Sequence, residues 1–427
     1  MDLFNVYNKA IAISIILIIS YFFNLVSKKY KIPSVIILIG LGIGVRKFLD
    51  SFEIDLSTYL YETLELLGIV GLIIIVLEAT FDLKLRREKK QILIKSFIIA
   101  ILYLIMTTYA IAYLLHQFLI EDFMKALTYA IPFSILSSAI IIPSLSNLSE
   151  TKREFLIYES TFSEILGIML FYLLIESVNK QASEIAMNVS GNIVITIISS
   201  IILSYSLVLL LQYLDDKVKL FFLIAILVML YSIGKIFHLS SLLIILVFGL
   251  ILNNHTLFFR GKIKHWVNRE AITHILDDFR VVTLESSFVV RTFFFVVFGM
   301  SLDFTGIGDM SSIVLALGIL ILAYLIRIIL FKSIVRKHIY PQVWIAPRGL
   351  VTVLLFFSIP IQLQDPNFNS TILLMVIIVT SLTMSGALLT RKEDFEEKEV
   401  LSFDDWEELD KELEKLNAES GKAASEK

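Results

Sequence analysis

Apolar runs of about 20 residues recur from one end of this chain to the other, separated by short polar connections. In lipid, every backbone N–H and C=O must find its partner within the spanning segment, so a chain of this kind folds as a bundle of membrane-crossing helices. The runs are too long and too continuous for the alternating strands of an outer-membrane barrel. The first run begins at about residue 8, is rich in Ile, and shows no small-residue cleavage site before Lys28-Lys29. The expectation is therefore a retained membrane helix and not a removed signal peptide. The chain has no cysteine, which excludes disulfides, thiolate chemistry and Cys-ligated metal.

Hydropathy predicts an all-α polytopic membrane protein of about thirteen spans, at 8–27, 32–49, 62–81, 91–115, 124–146, 155–177, 189–213, 218–236, 239–253, 284–303, 311–335, 341–362 and 369–390. Alternate connections differ in charge. One set holds Lys28, Lys29, Lys31, Lys84, Arg86, Arg87, Lys89, Lys90, Lys152, Arg153, Lys217, Lys219, Arg260, Lys262, Lys264, Arg269, Arg336 and Lys337. The other holds only Arg46, Lys47, Lys125, Lys180 and Lys235. The positive-inside rule puts the rich set in the cytoplasm, the N-terminus outside and the C-terminus inside, which requires an odd number of spans. From Arg391 onward there are 14 acidic residues against 7 Lys/Arg, a net of −7, whereas the whole chain is −3, so the membrane body is +4. Residues 391–427 form an acidic tail in which Ser402 is a helix N-cap and Phe403, Trp406, Leu409, Leu413 and Leu416 share a face. That face reads as a docking helix or as a solvated helix near the membrane surface.

Proline and glycine are scarce, at 7 and 17, so their placement informs. The fifth span has Pro132 and Pro143 around Ser134, Ser137 and Ser138; the twelfth has Pro347, Gly349 and Pro360 around Arg348 and Thr352. The spans lie seven apart and so run in opposite directions. Interrupted helices at matching places in two inverted repeats point to a transporter binding site near the midplane.

The sixth span carries two carboxylates in Glu159-Ser-Thr-Phe-Ser-Glu164. A charge in hydrocarbon costs about 3 kcal/mol or more and is retained only with a partner, a cavity or a task. At about 1.5 Å per residue from Phe155, Glu164 lies about 14 Å in and Glu159 about 6 Å, while Arg327 lies roughly 12 Å from the cytoplasmic end of the eleventh span. Ser160 and Glu164 are an i,i+4 pair on one face, and Glu159 and Ser163 another. Glu164 with Ser160 makes an oxygen-rich patch for a hard monovalent cation, and Glu159 is free to turn toward a buried guanidinium, with Arg327 the candidate. Ser137 and Ser138 of the interrupted fifth span join the candidate ion- and proton-binding set.

Other intramembrane charges are weighed beside these. Glu78 either lines an entrance or snorkels at the interface. Arg291 pairs with Glu285 or reaches the sixth span in competition with Arg327. Arg348 is expected at a helix break near the cytoplasm. The six histidines read as surface residues, and no phosphate loop, nucleophile elbow or nucleotide fingerprint is present, which argues against an enzyme.

Several of these motifs occur in the order found in the monovalent cation:proton antiporters, the sodium/proton exchanger superfamily. Lys31-Ile-Pro-Ser-Val-Ile-Ile-Leu-Ile-Gly-Leu-Gly-Ile-Gly44 resembles the second span of that family, and Leu77-Glu-Ala-Thr-Phe-Asp-Leu83 the end of its third. Glu159-Ser-x-x-Ser-Glu164 falls on the pattern Glu-Ser-x-x-Asn-Asp. Phe293-Phe-Phe-Val-Val-Phe-Gly-Met-Ser-Leu-Asp303 and Pro347-Arg-Gly-Leu-Val351 are similar to two later segments. The resemblance implies that Glu164 is the ion- and proton-binding carboxylate, Ser160 a cation-coordinating serine, and Glu159 with Arg327 a structural ion pair. It also implies two broken, crossing helices and a homodimer. Within residues 1–390, a mobile core (about 91–177 and 311–390) would slide against a dimerisation part (about 8–81 and 218–303). Ser163-Glu164 stands where the family has Asn-Asp, so the resemblance also puts Ser163 in the ion- and proton-binding set. Ser137-Ser138-Ala139-Ile140 replaces Thr-Asp-Pro and looks more like the potassium-efflux branch.

The function expected is competition of one proton and one monovalent cation (Na+, with K+ or Li+ open) for Glu164. Position 163 is not a second acid, so the exchange is expected to be electroneutral. No cofactor and no nucleic acid is implied; membrane lipid and the transported ions are the partners. The competing reading is a non-transporting scaffold or sensor that retains the fold and signals through its acidic tail.

Overall fold

A computed structural model describes residues 6–30, 34–51, 70–71, 73–81, 83–85, 89–145, 148–177, 198–210, 219–236, 241–259, 268–301, 309–336 and 339–390. The acidic tail with Ser402 and its expected helix lies outside them. So do the starts of the third and seventh spans (62–69 and 189–197) and the connection residues Lys31, Arg86, Arg87, Lys180, Lys217, Arg260, Lys262, Lys264 and Lys337.

The described chain is helical: α1 (Val6–Tyr30), α2 (Ser34–Asp50), α3 (73–81), α4 (Lys90–Phe118), α5 (Phe123–Ser134), α6 (Ser138–Ser144), α7 (Glu150–Ser177), α8 (Ile198–Leu210), α9 (Lys219–Ile236), α10 (Ser241–Asn253), α11 (His255–Phe258), α12 (Arg269–Ser301), α13 (Met310–Ile334), α14 (Leu350–Phe357) and α15 (Ser370–Leu389). Among the described residues, six stretches are long and apolar enough to cross a membrane, Lys90–Phe118, Phe123–Ile142, Glu150–Ile175, Ile272–Ser301, Met310–Ile334 and Ser370–Leu389.

These helices are apolar on both sides. On α13, Leu317, Ile321, Leu325 and Ile329 stand outward and exposed while Leu315, Ile319, Ala323 and Ile326 are buried. A water-soluble helix would place polar residues outside; hydrocarbon makes no such demand. Helix starts are fixed by side chains that take up orphan N–H groups. Asp122 accepts from Met124 N at 2.7 Å, Asn369 from Thr371 N at 2.9 Å, and Asp309 from Ser312 N at 3.1 Å.

Two packing groups result. In one, α4 packs against α5, α7 and α13, with α15 against α13, α6 against α7, and α14 against α5 and α7. In the other, α2 packs against α1 and α12, and α9 against α10 and α12. The α2–α12 contact is close enough that a Cβ on Gly42 would stand 2.1 Å from the Val296 carbonyl oxygen, and one on Gly299 would stand 2.4 Å from that of Ile39. Small residues let membrane helices meet backbone to backbone.

Four boundaries differ from hydropathy. Helix α7 begins at Glu150, five residues before the expected 155, because Glu150 and Glu154 both hold Lys89. Helix α12 begins at Arg269 and not at 284; its first turns carry Asp277, Asp278 and Arg280, which hydropathy discounts. The fifth span is α5 and α6 with Ile135–Ser137 between them. The twelfth is a short 3-10 turn at Gln342–Trp344, non-helical 345–349, and α14.

Candidate functional site

The site forms where 135–137 meets 345–349. Helix α5 contains Pro132 and stops at Ser134; Ile135 and Ser137 are extended, and the helix resumes at Ser138. Three non-helical residues inside a buried helix free polar groups that need new partners. Ser137 N–H donates to the Pro347 carbonyl at 3.0 Å, joining the two stretches directly. Leu136 N–H donates to Ser163 Oγ at 3.0 Å. Ser138 N–H donates to Glu164 Oε1 at 3.0 Å, and the Ser138 hydroxyl donates to Glu164 Oε2. Helix α7 thus supplies the acceptors that the interruption lacks. The approach is tight at Gly349, where a Cβ would lie 2.4 Å from Ser137 Oγ. Gly167 of α7 sits against Ile135, where a Cβ would meet Ile135 Cγ1 at 2.3 Å.

Arg348 is buried beside this crossing. Its Nε donates to the Phe133 carbonyl at 2.7 Å, Nη1 to that of Ala346 at 2.6 Å, and Nη2 to Tyr103 Oη at 2.6 Å. Phe133 O belongs to the end of α5, where carbonyls lack helical partners and the helix dipole is negative. The guanidinium therefore meets the partial charge of the interrupted helix, and Thr380 Oγ1 takes the Arg348 backbone N–H at 3.1 Å.

The two carboxylates of α7 differ in their surroundings. Both are buried, near the middle of a 28-residue helix. Glu159 meets Arg327 through two contacts, Nη1–Oε1 at 2.6 Å and Nη2–Oε2 at 2.9 Å. The same guanidinium donates to the carbonyls of Val343 (3.1 Å), Gln342 (3.2 Å) and Ile345 (3.1 Å), and lies over the Phe331 ring at 4.6 Å. Arg327 thus holds the run that leads into 345–349. Glu164 meets Ser138 and, among the described residues, no Lys or Arg at ion-pair distance.

The remaining expected residues fall as follows. The Ser160 hydroxyl turns back to the Leu156 carbonyl at 2.8 Å, so Ser138 and not Ser160 is the hydrogen-bond partner of Glu164. Serine in a helix readily satisfies its hydroxyl on the preceding turn. Ser163 serves the interruption through Leu136. The Ser137 hydroxyl is buried with no hydrogen-bond partner among the described residues. Glu78 pairs with Arg291, Oε1 to Nη2 at 3.1 Å, and both side chains are partly exposed. The expected partners of Arg291 are thereby corrected. Glu285 is six residues away, about 120° around the helix and about 9 Å along it, and so lies on a different face. His255 is buried and not a surface residue, with Nδ1 3.1 Å from the Leu252 carbonyl at the end of α10.

Sequence reasoning missed the acceptors of Arg348 and the Glu78–Arg291 pair. Main-chain carbonyls carry no sequence signal, and the pair is separated by 213 positions.

A family model described as the transmembrane sodium/hydrogen exchanger matches residues 13–391. The chain belongs to the sodium/hydrogen exchanger family. Its members are membrane transporters and not enzymes, they need no cofactor, and their chemistry is cation:proton antiport. The fold is similar to that of the sodium proton antiporter MjNhaP1 from Methanocaldococcus jannaschii at pH 8. There the TM-score is 0.66 at 18% identity, over 90% of this chain and 98% of that one. An electron-microscopy structure of the same antiporter gives a TM-score of 0.62 at 17% identity, over 90% and 95% of the two chains. No curated protein matches this sequence significantly.

Proposed function

We propose that this exchanger trades one monovalent cation (Na+, with K+ or Li+ as alternatives) for one proton at Glu164. The observation that carries the reading is the contrast within α7. Both oxygens of Glu159 are held by Arg327, whereas among the described residues Glu164 hydrogen-bonds only Ser138 of the interrupted segment. A buried carboxylate facing neutral donors is open to either a proton or a hard cation. Ser160 on the preceding turn, together with the unpartnered Ser137 hydroxyl and Ser138, supplies neutral oxygens for the cation. Ser163 and Arg348 hold the backbone around it.

With either occupant the site is neutral and the core crosses the membrane barrier. Empty, it carries a buried charge and the crossing is opposed. One carboxylate and one occupant make the exchange electroneutral. In this reading the packing group of α4–α7 and α13–α15 is the moving core, in an elevator motion against the group of α1, α2, α9, α10 and α12. The repeats are inverted around the spans of α5/α6 and α14, the N-terminus lies outside, the tail lies in the cytoplasm, and the protein is a homodimer in the cell membrane. The basic connections support the orientation.

The test is cation-driven proton flux in proteoliposomes across Na+, K+ and Li+. Wild-type protein should give saturable flux and Glu164→Gln none. Undiminished flux in that variant would sink the assignment.

A further inference from the structure

The third carboxylate of the region, Glu78, stands outside the site just described, and the contacts below it put it on the same side of them as Glu164. Lys89, just before α4, bonds Glu150 at 2.7 Å and also Glu154, on the first turns of α7. Five residues earlier in the chain, the Lys84 carbonyl accepts from Tyr158 Oη at 2.8 Å. As the chain is followed back from 89 to 84, its partner on α7 advances from 150 to 158, so the two segments run antiparallel. Six residues further back is Glu78, on α3, and six further on is Glu164, on α7, so both carboxylates lie on the same side of the Tyr158 contact. Leu83, just past α3, packs in one cluster with Tyr158 and Ile165 of α7.

The end of α3 is fixed from the other side. Asn253 Nδ2 donates to the carbonyls of Thr80 (2.8 Å), Phe81 (3.1 Å) and Leu83 (3.1 Å). Glu78 and Arg291 retain side-chain exposures of 15% and 20% and share one contact. The charges of both act on Glu164.

The geometry points to the Glu78–Arg291 pair as the element that fixes the charge carried per cycle. Arg291 neutralises the second carboxylate on this side of the Tyr158 contact, leaving a single carboxylate for the proton and the cation. The inference rests on the Glu164 reading and deepens it. Without the guanidinium, two carboxylates would face one site, and two like charges there do not both stay ionised. A second proton would then enter the cycle against one cation, and the exchange would move net charge.

The experiment measures cation-driven proton flux in proteoliposomes at membrane potentials clamped with K+ and valinomycin, with Na+ as the driving ion. Wild-type flux should be indifferent to the potential. Arg291→Gln should gain a rate dependence of at least about threefold over roughly 100 mV, where a whole charge commands up to roughly 50-fold. Arg291→Lys and the double variant Glu78→Gln/Arg291→Gln should return to indifference, because each removes the unpaired carboxylate. Glu78→Gln alone leaves the Arg291 charge unbalanced and should raise the half-saturating Na+ concentration by about tenfold. This arm decides the question if Arg291→Gln does not fold.

Potential-dependent flux in wild-type protein, indifference in a folded Arg291→Gln, or an unchanged half-saturating concentration in Glu78→Gln would each overturn the inference. Failure of the Glu164 reading shows elsewhere, as flux that survives Glu164→Gln.

Discussion

Among the described residues two Arg–Glu pairs join separate helices, and they are built differently. Arg327–Glu159 is wholly buried and bidentate, and Nε and Nη2 of the arginine also donate to three carbonyls of 342–345. Arg291–Glu78 is a single contact between partly exposed side chains. A buried pair pays a large desolvation cost that is recovered only with full hydrogen bonding, and removing one partner strands the other. A partly exposed pair costs less to form and less to lose. We propose that the first holds the structure and that the second sets charge near the site without bearing the fold.

The comparison is broken most easily at the first pair. Arg327→Ala should lose about 3–5 kcal/mol of stability, read as a fall in thermal melting temperature in detergent. A variant that melts like wild type would remove the distinction. Next is Gly349→Ala, on the run that Arg327 holds. The added methyl meets Ser137 Oγ and Ile140, so a loss of about 1–3 kcal/mol is expected together with reduced flux. Smaller again is Arg291→Gln, which should cost about 1 kcal/mol or less in the same melting assay. A loss equal to that of Arg327→Ala would make both pairs structural.

The smallest effect is at Asp309, a carboxylate exposed to water before α13. The hydroxyls of Ser311 and Ser312, then their backbone N–H groups, lower it from the usual 3.8 to about 2. A lowered folded value gives stability that is present above about pH 4 and is lost as the pH falls toward 2. Comparing the melting of wild type and Asp309→Asn across that window checks it, since the amide does not titrate.

Much of the site was legible as residue types. Glu164, Glu159, Arg327, Ser137, Ser138 and the prolines of two spans stood out because charge and helix breakers are costly in an apolar helix. Helical spacing separated Glu159 from Glu164, and overlapping depth named Arg327. Spacing failed for Ser160, whose hydroxyl finds a carbonyl on its own turn, and for Arg291, whose partner lies on a distant helix. Hydropathy read α12 as beginning near 284, because a helix that leaves the hydrocarbon becomes polar without ending.

By itself, then, the sequence determined that the chain is a helical bundle in a membrane and which few side chains are too costly there to be incidental. These are one-dimensional properties, the length of an apolar run and the desolvation cost of a charge. The tertiary structure alone decided which donor meets which acceptor. Ser138 serves Glu164, Arg348 serves the carbonyls at the end of α5, and Arg291 neutralises Glu78, because the close approach of separate segments sets those distances.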